Sequence, residues 1–533
     1  MDSRHIKILD TTLRDGQQCP GAGMAFAQNL EYAQLGIKVG LDVMEAGFPA
    51  ASDGDFLIVN TIVRECTDPK HRTTFSALCQ LREAQIVRTM EALEPGLANQ
   101  QARLHTYLPV DPHLMVASLG SYAQKTEQIL QDVQQLCAIA SKAGFEVEFS
   151  PEGYSRMGDN FDFVTDVIRA AISGGVTIIN CPDTIGGACR LQGDDYFVNK
   201  MAKHKQMMSK EFPEKQITWS MHCHNDFGLA LDNSMAGVFS GVATQVEGCI
   251  NGIGERAGNA ALEQCIMYIK HFGRYFDPEN PLYTTINTQH LQEISDFVSR
   301  EMLPRQPHFP ITGENAARHT SGGHTNAILK NPLAYQPFDP KEVGNEISFI
   351  FGPLSGGNHA KAIIDKAHYR CDDSEKAEIA QYIKTVHAER RKGITDSELL
   401  ATYIEYRNPM NIQDFSYSKQ GQKTILTLQG KFFSEEGAIE VVYEGQDSAL
   451  AALNDRILEY FPDFTIESYQ SQSAEKGISA RSLTVIVIKT KEGQIYTGES
   501  INKDIEISAF NALISAVNQA YVEKNYFLNK SEK

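Results

Sequence analysis

Two histidines two residues apart, His222 and His224 in the stretch HCHNDFG, give the first clue to chemistry. If that stretch is a strand, positions i and i+2 face the same way, so both imidazoles point to one side. Two neutral imidazoles and one carboxylate fill half of an octahedral shell and leave positions open for substrate or water, which suits a catalytic divalent cation. Asp15, in DTTLRDGQQCPG, is the carboxylate chosen to join them, and Arg14 beside it offers a fixed cation for an anionic substrate. An HxH pair alone is an ordinary surface sequence. Here it ends an apolar run, and acidic and amide residues stand at the ends of other runs.

Those runs are the elements that must position the site. Eight short apolar stretches alternate with longer amphipathic ones between residues 5 and about 270: 6–10, 41–48, 73–78, 103–110, 145–150, 176–181, 217–224 and 244–250. Helical periods lie between them, as at 27–36, where Leu30, Ala33 and Gln34 mark the repeat, and at 125–144, which closes at Gly144. Parallel neighbours need long right-handed crossovers, so strand then helix eight times over predicts an α/β fold with an N-terminal (β/α)8 barrel. An open doubly wound sheet is the rival arrangement. In a barrel the loops after the strands build the active site, which brings His105, Ser150, Glu152, Asn180, Thr184 and Asn259 to the mouth with the residues above.

The remainder divides by composition. Residues 1–275 are assigned to the barrel, 276–412 to helical accessory subdomains broken by Gly- and Pro-rich links, and 413–533 to an α+β regulatory-like domain in which strands then helix occur twice. With 49 Lys and Arg against 67 Asp and Glu, the net charge of -18 repels phosphate backbones and anionic lipid, so neither nucleic acid nor membrane is expected as a partner. MDSRHIKILD places charges where a signal peptide needs its apolar stretch, and a cytoplasmic enzyme is the expectation. Ten Cys without a CxxC pair read as reduced core thiols, with Cys223 turned away from its flanking histidines by strand alternation. NGIGERAGN is Gly-rich but has neither the Walker pattern nor the dinucleotide fingerprint.

Six motifs in chain order, DTTLRDG, MEAGFP, SPE, INCPDTIG, HCHND and NGIGERAGN, resemble the isopropylmalate and homocitrate synthase family across the whole barrel. The resemblance implies a Claisen condensation: acetyl-CoA loses a methyl proton, its enolate attacks the ketone of 3-methyl-2-oxobutanoate in a step of leucine biosynthesis, and the thioester is hydrolysed. Homocitrate and citramalate synthases, taking 2-oxoglutarate or pyruvate, are the alternatives, and a non-catalytic amino-acid sensor is the reading from another class. By resemblance Asp15, His222 and His224 bind manganese, zinc or magnesium with Asn259 completing or supporting the shell. Arg14 faces the ketone oxygen, His105, Ser150, Asn180 and Thr184 line the oxo-acid pocket, and His324, poised by Glu152, moves protons with Tyr335. A homodimer with leucine feedback at the C-terminal domain is also implied. The chain departs from the family pattern at Asn29, where a Lys is usual, at Asp232, where a small residue is usual, and at GAIEVVY, where a Gly-rich stretch is common.

Overall fold

The structure, a computed structural model, describes residues 4–390, 392–444, 448–475 and 480–528. Eight strands form a closed barrel in sequence order: β1 (Lys7–Asp10), β2 (Val43–Glu45), β3 (Thr74–Gln80), β4 (Ala102–Pro109), β5 (Glu146–Glu152), β6 (Ile178–Asp183), β7 (Thr218–Cys223) and β8 (Gln245–Gly248). Every neighbouring pair is parallel, and β1 closes on β8 with Asp10 opposite Gly248. The barrel expectation holds, and an open sheet is excluded. Apolar side chains of the strands' outward faces, such as Phe75, Val147 and Ile179, pack with the surrounding helices into one core.

The helix Phe26–Val39 shows where the periodic reading slipped. Its buried residues include Asn29, Tyr32, Ala33 and Gly36, and Leu30 packs partly buried against the core, so of the three marked residues only Gln34 falls on the exposed side. Asn29 is fully buried yet satisfied: its Nδ2 donates to the carbonyls of Met24 (2.9 Å) and Ala25 (3.0 Å), and its Oδ1 accepts from Gln17 Nε2 (2.7 Å). The residue that departs from the family pattern thus ties the loop after β1 to the first helix. A buried polar group costs little when every partner is supplied.

The barrel interior is ionic where such barrels are usually aliphatic. Arg103 on β4, about 1% exposed, donates from Nη1 to Glu148 Oε2 on β5 (2.9 Å) and to Gln245 Oε1 on β8 (3.0 Å). Its Nε donates to Glu146 Oε2 (2.7 Å), and Gln245 Nε2 donates to Glu148 Oε1 (2.9 Å) and Ser220 Oγ on β7 (3.0 Å). Strand period 2 places the next inward residues directly above this floor. They are His105, Ser150, His222 and Glu247.

Contacts divide the chain into two compact units, residues 1–317 with 338–347, and 318–337 with 348–533. The first carries the barrel and the helix Leu291–Glu301, whose Leu291, Ile294, Phe297 and Val298 join the barrel's core. The second begins with the short parallel pair β9 (Arg318–His319) and β10 (Ser348–Phe349) and a helical cluster around Phe351, Ile364, Ile383 and Tyr403. Two three-stranded antiparallel sheets follow: β11 (Met410–Gln420), β12 (Lys423–Phe432) and β13 (Glu435–Glu444), then β14 (Phe464–Ser473), β15 (Ser482–Thr490) and β16 (Ile495–Asn502). Each sheet is followed by a helix, Ala449–Tyr460 and Ile505–Tyr526, and the strand–helix duplication read from the sequence is present. No helix among the described residues is long and apolar enough to cross a membrane.

Candidate metal centre and active site

At the C-terminal ends of the barrel strands, β7 turns both imidazoles inward, while Cys223 between them is fully buried on the other face. His222 Nε2 lies 3.1 Å from His224 Nε2 and 3.9 Å from Asp15 Oδ2. One ligating atom from each of Asp15, His222 and His224 falls within 4.8 Å of the others, and all three residues are buried. Burial would raise the Asp15 carboxyl, but Arg14 and the two imidazoles outweigh it and hold it down to about 2. Burial and His222 keep His224 at about 4, hence neutral, the form that ligates metals.

The loop after β8 completes the group. Asn259 pairs with His224 through a bridge and donates from Nδ2 to Asp15 Oδ1 (2.8 Å) and to the carbonyl of Ile253 (3.2 Å). Its Oδ1 is buried without a hydrogen-bond partner. An orphaned buried oxygen beside a carboxylate and two imidazoles is what a divalent cation's donor set requires, and the residues fit one. The glycines of NGIGERAGN serve this packing. Gly254 has φ +149, and a Cβ there would stand 2.1 Å from Asn259 Nδ2 and 2.8 Å from Asp15 Oδ1.

Arg14 is held by three carboxylates: Nε donates to Glu45 Oε2 (2.5 Å), Nη1 to Asp15 Oδ2 (2.6 Å) and Nη2 to Glu247 Oε1 (2.9 Å). Of a guanidinium's five N–H donors, two remain for a ligand. His105 Nδ1 lies 2.6 Å from Glu45 Oε1, and its Nε2 lies 2.8 Å from Ser150 Oγ. Burial opposes the imidazolium, yet Glu45, with Glu148 behind it, raises His105 above its usual range. Ser150 Oγ also accepts from Asn180 Nδ2 (3.0 Å), so His105 and Asn180 together fix the hydroxyl at the cavity wall. Asn180 Nδ2 also donates to Glu247 Oε2 (2.7 Å).

The cavity, of about 220 Å³, is lined by these groups and by Glu152, Thr184, Arg256, Leu78, Tyr107 and Pro182. Thr184 Oγ1 accepts from the Gly153 N–H (2.9 Å), and burial, then Asp111, raises the Glu152 carboxyl above its usual range. Arg256 is engaged by Asp226 (2.9 and 3.0 Å), and Asp232 lies on the helix Ala230–Phe239, paired with Arg190 (2.8 Å). His324 and Tyr335 belong to the second unit, where their rings stack with centroids 4.0 Å apart.

The HMGL-like family model matches residues 5–298, a homocitrate synthase post-HMGL domain-like model matches 311–392, and a LeuA allosteric (dimerisation) domain model matches 401–521. The 2-isopropylmalate synthase of Prochlorococcus marinus (strain MIT 9301) is 34% identical, with 96% of this chain and 93% of that protein covered. The chain belongs to the 2-isopropylmalate synthase family. Other relatives of that name, from Aquifex aeolicus (strain VF5) and Rhodopseudomonas palustris (strain BisB18), are 31% and 32% identical over 99% and 98% of this chain, and over 98% and 96% of their own lengths.

Two residues central to this family member's site escaped assignment from sequence. Glu45 and Glu247 each sit in an apolar strand, VMEAG and QVEGC, with no polar motif around them to mark them. A carboxylate at an inward position of a buried strand must have a buried cation opposite, and that was the available signal.

Proposed function

We propose that this chain condenses acetyl-CoA with 3-methyl-2-oxobutanoate, giving 2-isopropylmalate and CoA. The carrying observation is a cavity lined both by donors for an oxo-acid head and by the apolar side chains Leu78 and Pro182, with its cations already paired. Arg14, His105 and Arg256 each face a carboxylate, and Arg156, just after β5, is paired with Asp111. A second substrate carboxylate, as in 2-oxoglutarate, would be desolvated there without a free counter-charge. Leu78 and Pro182 instead suit a branched aliphatic group.

The bound divalent cation, manganese, zinc or magnesium, supplies Lewis-acid polarisation of the oxo acid, and Asp15, His222, His224 and Asn259 are the proposed holders. Arg14 turns its spare donors to the ketone oxygen as negative charge builds there. Ser150 and Thr184 orient the acid. We assign proton transfer to His324 with Tyr335 and Glu152, an imidazole offering one nitrogen to take a proton and one to give it. The methyl carbon of acetyl-CoA loses a proton and bonds to the ketone carbon, whose oxygen gains a proton. Water then cleaves the thioester and CoA leaves as the thiol. We also propose a cytoplasmic homodimer, with leucine bound in the C-terminal sheets as feedback inhibitor.

The test is thiol release by purified protein with acetyl-CoA, Mn2+ and each of 3-methyl-2-oxobutanoate, 2-oxoglutarate and pyruvate, with and without leucine. Highest kcat/KM with the branched acid and none in His222→Ala is expected. Preference for 2-oxoglutarate overturns the acceptor assignment, and indifference to leucine overturns the feedback one.

A further inference from the structure

The loop that carries Asn259 to the cation site is held from its far side by one residue. Asn251 has φ +59, a left-handed backbone that asparagine tolerates better than other side chains. Its side chain reaches away from the barrel mouth to the helix Leu291–Glu301. Nδ2 donates to the carbonyl of Ser295 (2.8 Å), and Oδ1 accepts from the Ser295 hydroxyl. Its backbone N–H is shared between both oxygens of the fully buried Glu263 (3.1 Å each). Ser295 Oγ is bound in turn to Thr312 Oγ1 (2.8 Å) and Arg305 Nη1. Donors and acceptors of Asn251 are thus anchored in buried structure that belongs to neither the cavity nor the substrate's path.

The neighbour of Asn251 does the positioning. The Gly252 carbonyl accepts the Asn259 N–H (3.0 Å), and at Gly258 a Cβ would lie 2.0 Å from that same oxygen. A shift of Gly252 would therefore carry Asn259 with it through that hydrogen bond, and glycine at 258 is what lets the two backbones approach. The Asn259 side chain then has one hydrogen-bonded orientation, Nδ2 on Asp15 and Ile253, with Oδ1 left free.

We propose that Asn251 is a positioning residue for the cation site, fixing the loop through Glu263 and Ser295 so that Asn259 Oδ1 and Asp15 stand ready before a cation arrives. This rests on the reading of Asp15, His222, His224 and Asn259 as that site. Residues that orient ligands from behind change metal affinity by roughly 10–100-fold when removed. Pre-organisation, rather than any contact with the ion, is what Asn251 contributes.

Asn251→Gly tests this cleanly, because glycine adopts φ +59 without strain and keeps the N–H to Glu263, so only the side-chain clamp on Ser295 is lost. Mn2+ affinity, read by the electron paramagnetic resonance of free Mn2+, should weaken by about tenfold or more. Tm without metal should stay within a few degrees. Ser295→Ala, which keeps the carbonyl acceptor and removes the hydroxyl, should give a smaller loss in the same direction and serves if the glycine variant does not fold. Affinities equal to wild type in the folded variants overturn the proposal while leaving the site assignment intact. A wild-type chain that binds no Mn2+, with His222→Ala indistinguishable from it, overturns the site assignment and this inference with it.

Discussion

Glu247 is the residue on which the site's charges converge: Arg14 and Asn180 donate to it, and His222 Nδ1 lies 3.1 Å away. Removing its charge while keeping its shape separates these roles. Glu247→Gln should lower kcat/KM by about 10–100-fold, as expected for a group that orients ligands, with the circular dichroism spectrum unchanged. Retention of full activity would show that Arg14 and His222 need no such support. Much of this site was legible beforehand, since Asp15, His222, His224, Arg14 and Asn180 all stand beside turn-rich motifs at strand ends. Glu45 and Glu247 were not, for a physical reason. A carboxylate within an apolar strand is explained only by its partner, and Arg14 and Glu247 are 233 positions apart in the chain.

The element that matters most is the loop between β8 and the helix Leu262–Phe272. Its glycines resemble a phosphate cradle in composition only: Gly254 lets the Asp15–Asn259 hydrogen bond pass where a side chain would stand, and Gly258 lets the backbone of Gly252 approach. Gly254→Ala should therefore weaken Mn2+ binding more than tenfold and destabilise the fold by about 2 kcal/mol, measured by metal titration and denaturant unfolding. At the start of that helix, burial pushes the Glu263 carboxyl from 4.5 up to about 7. Between those values the folded chain keeps a proton that the unfolded chain has lost, so stability is full below pH 4.5 and drains as pH rises through about 7. The span corresponds to on the order of 3 kcal/mol. Glu263→Gln should flatten the fall of Tm between pH 5 and 8, and an unchanged slope would locate the proton elsewhere. Strand positions were readable because apolar runs end abruptly in polar residues. The burial of Asn29 in Phe26–Val39 was not, because a satisfied asparagine can replace an aliphatic residue in a core.

Over the whole molecule, separate hydrophobic cores belong to the barrel and to the C-terminal sheets. Ligand effects should be separable on that basis by amide hydrogen exchange. Mn2+ should protect the loops after β1, β7 and β8, and leucine should protect segments within 401–521, the span of the allosteric domain model. Leucine protection confined to the barrel would contradict the assignment of feedback to that domain. The composition gave the scale of the molecule and the alternating pattern gave its barrel, but the ionic floor of Arg103, Glu148 and Gln245 lay beyond any local reading. Replacing any one member strands an opposite charge or an unmet amide, while replacing all together with aliphatic residues would be tolerable. Each single substitution in the floor should therefore cost stability that a concerted aliphatic replacement would spare.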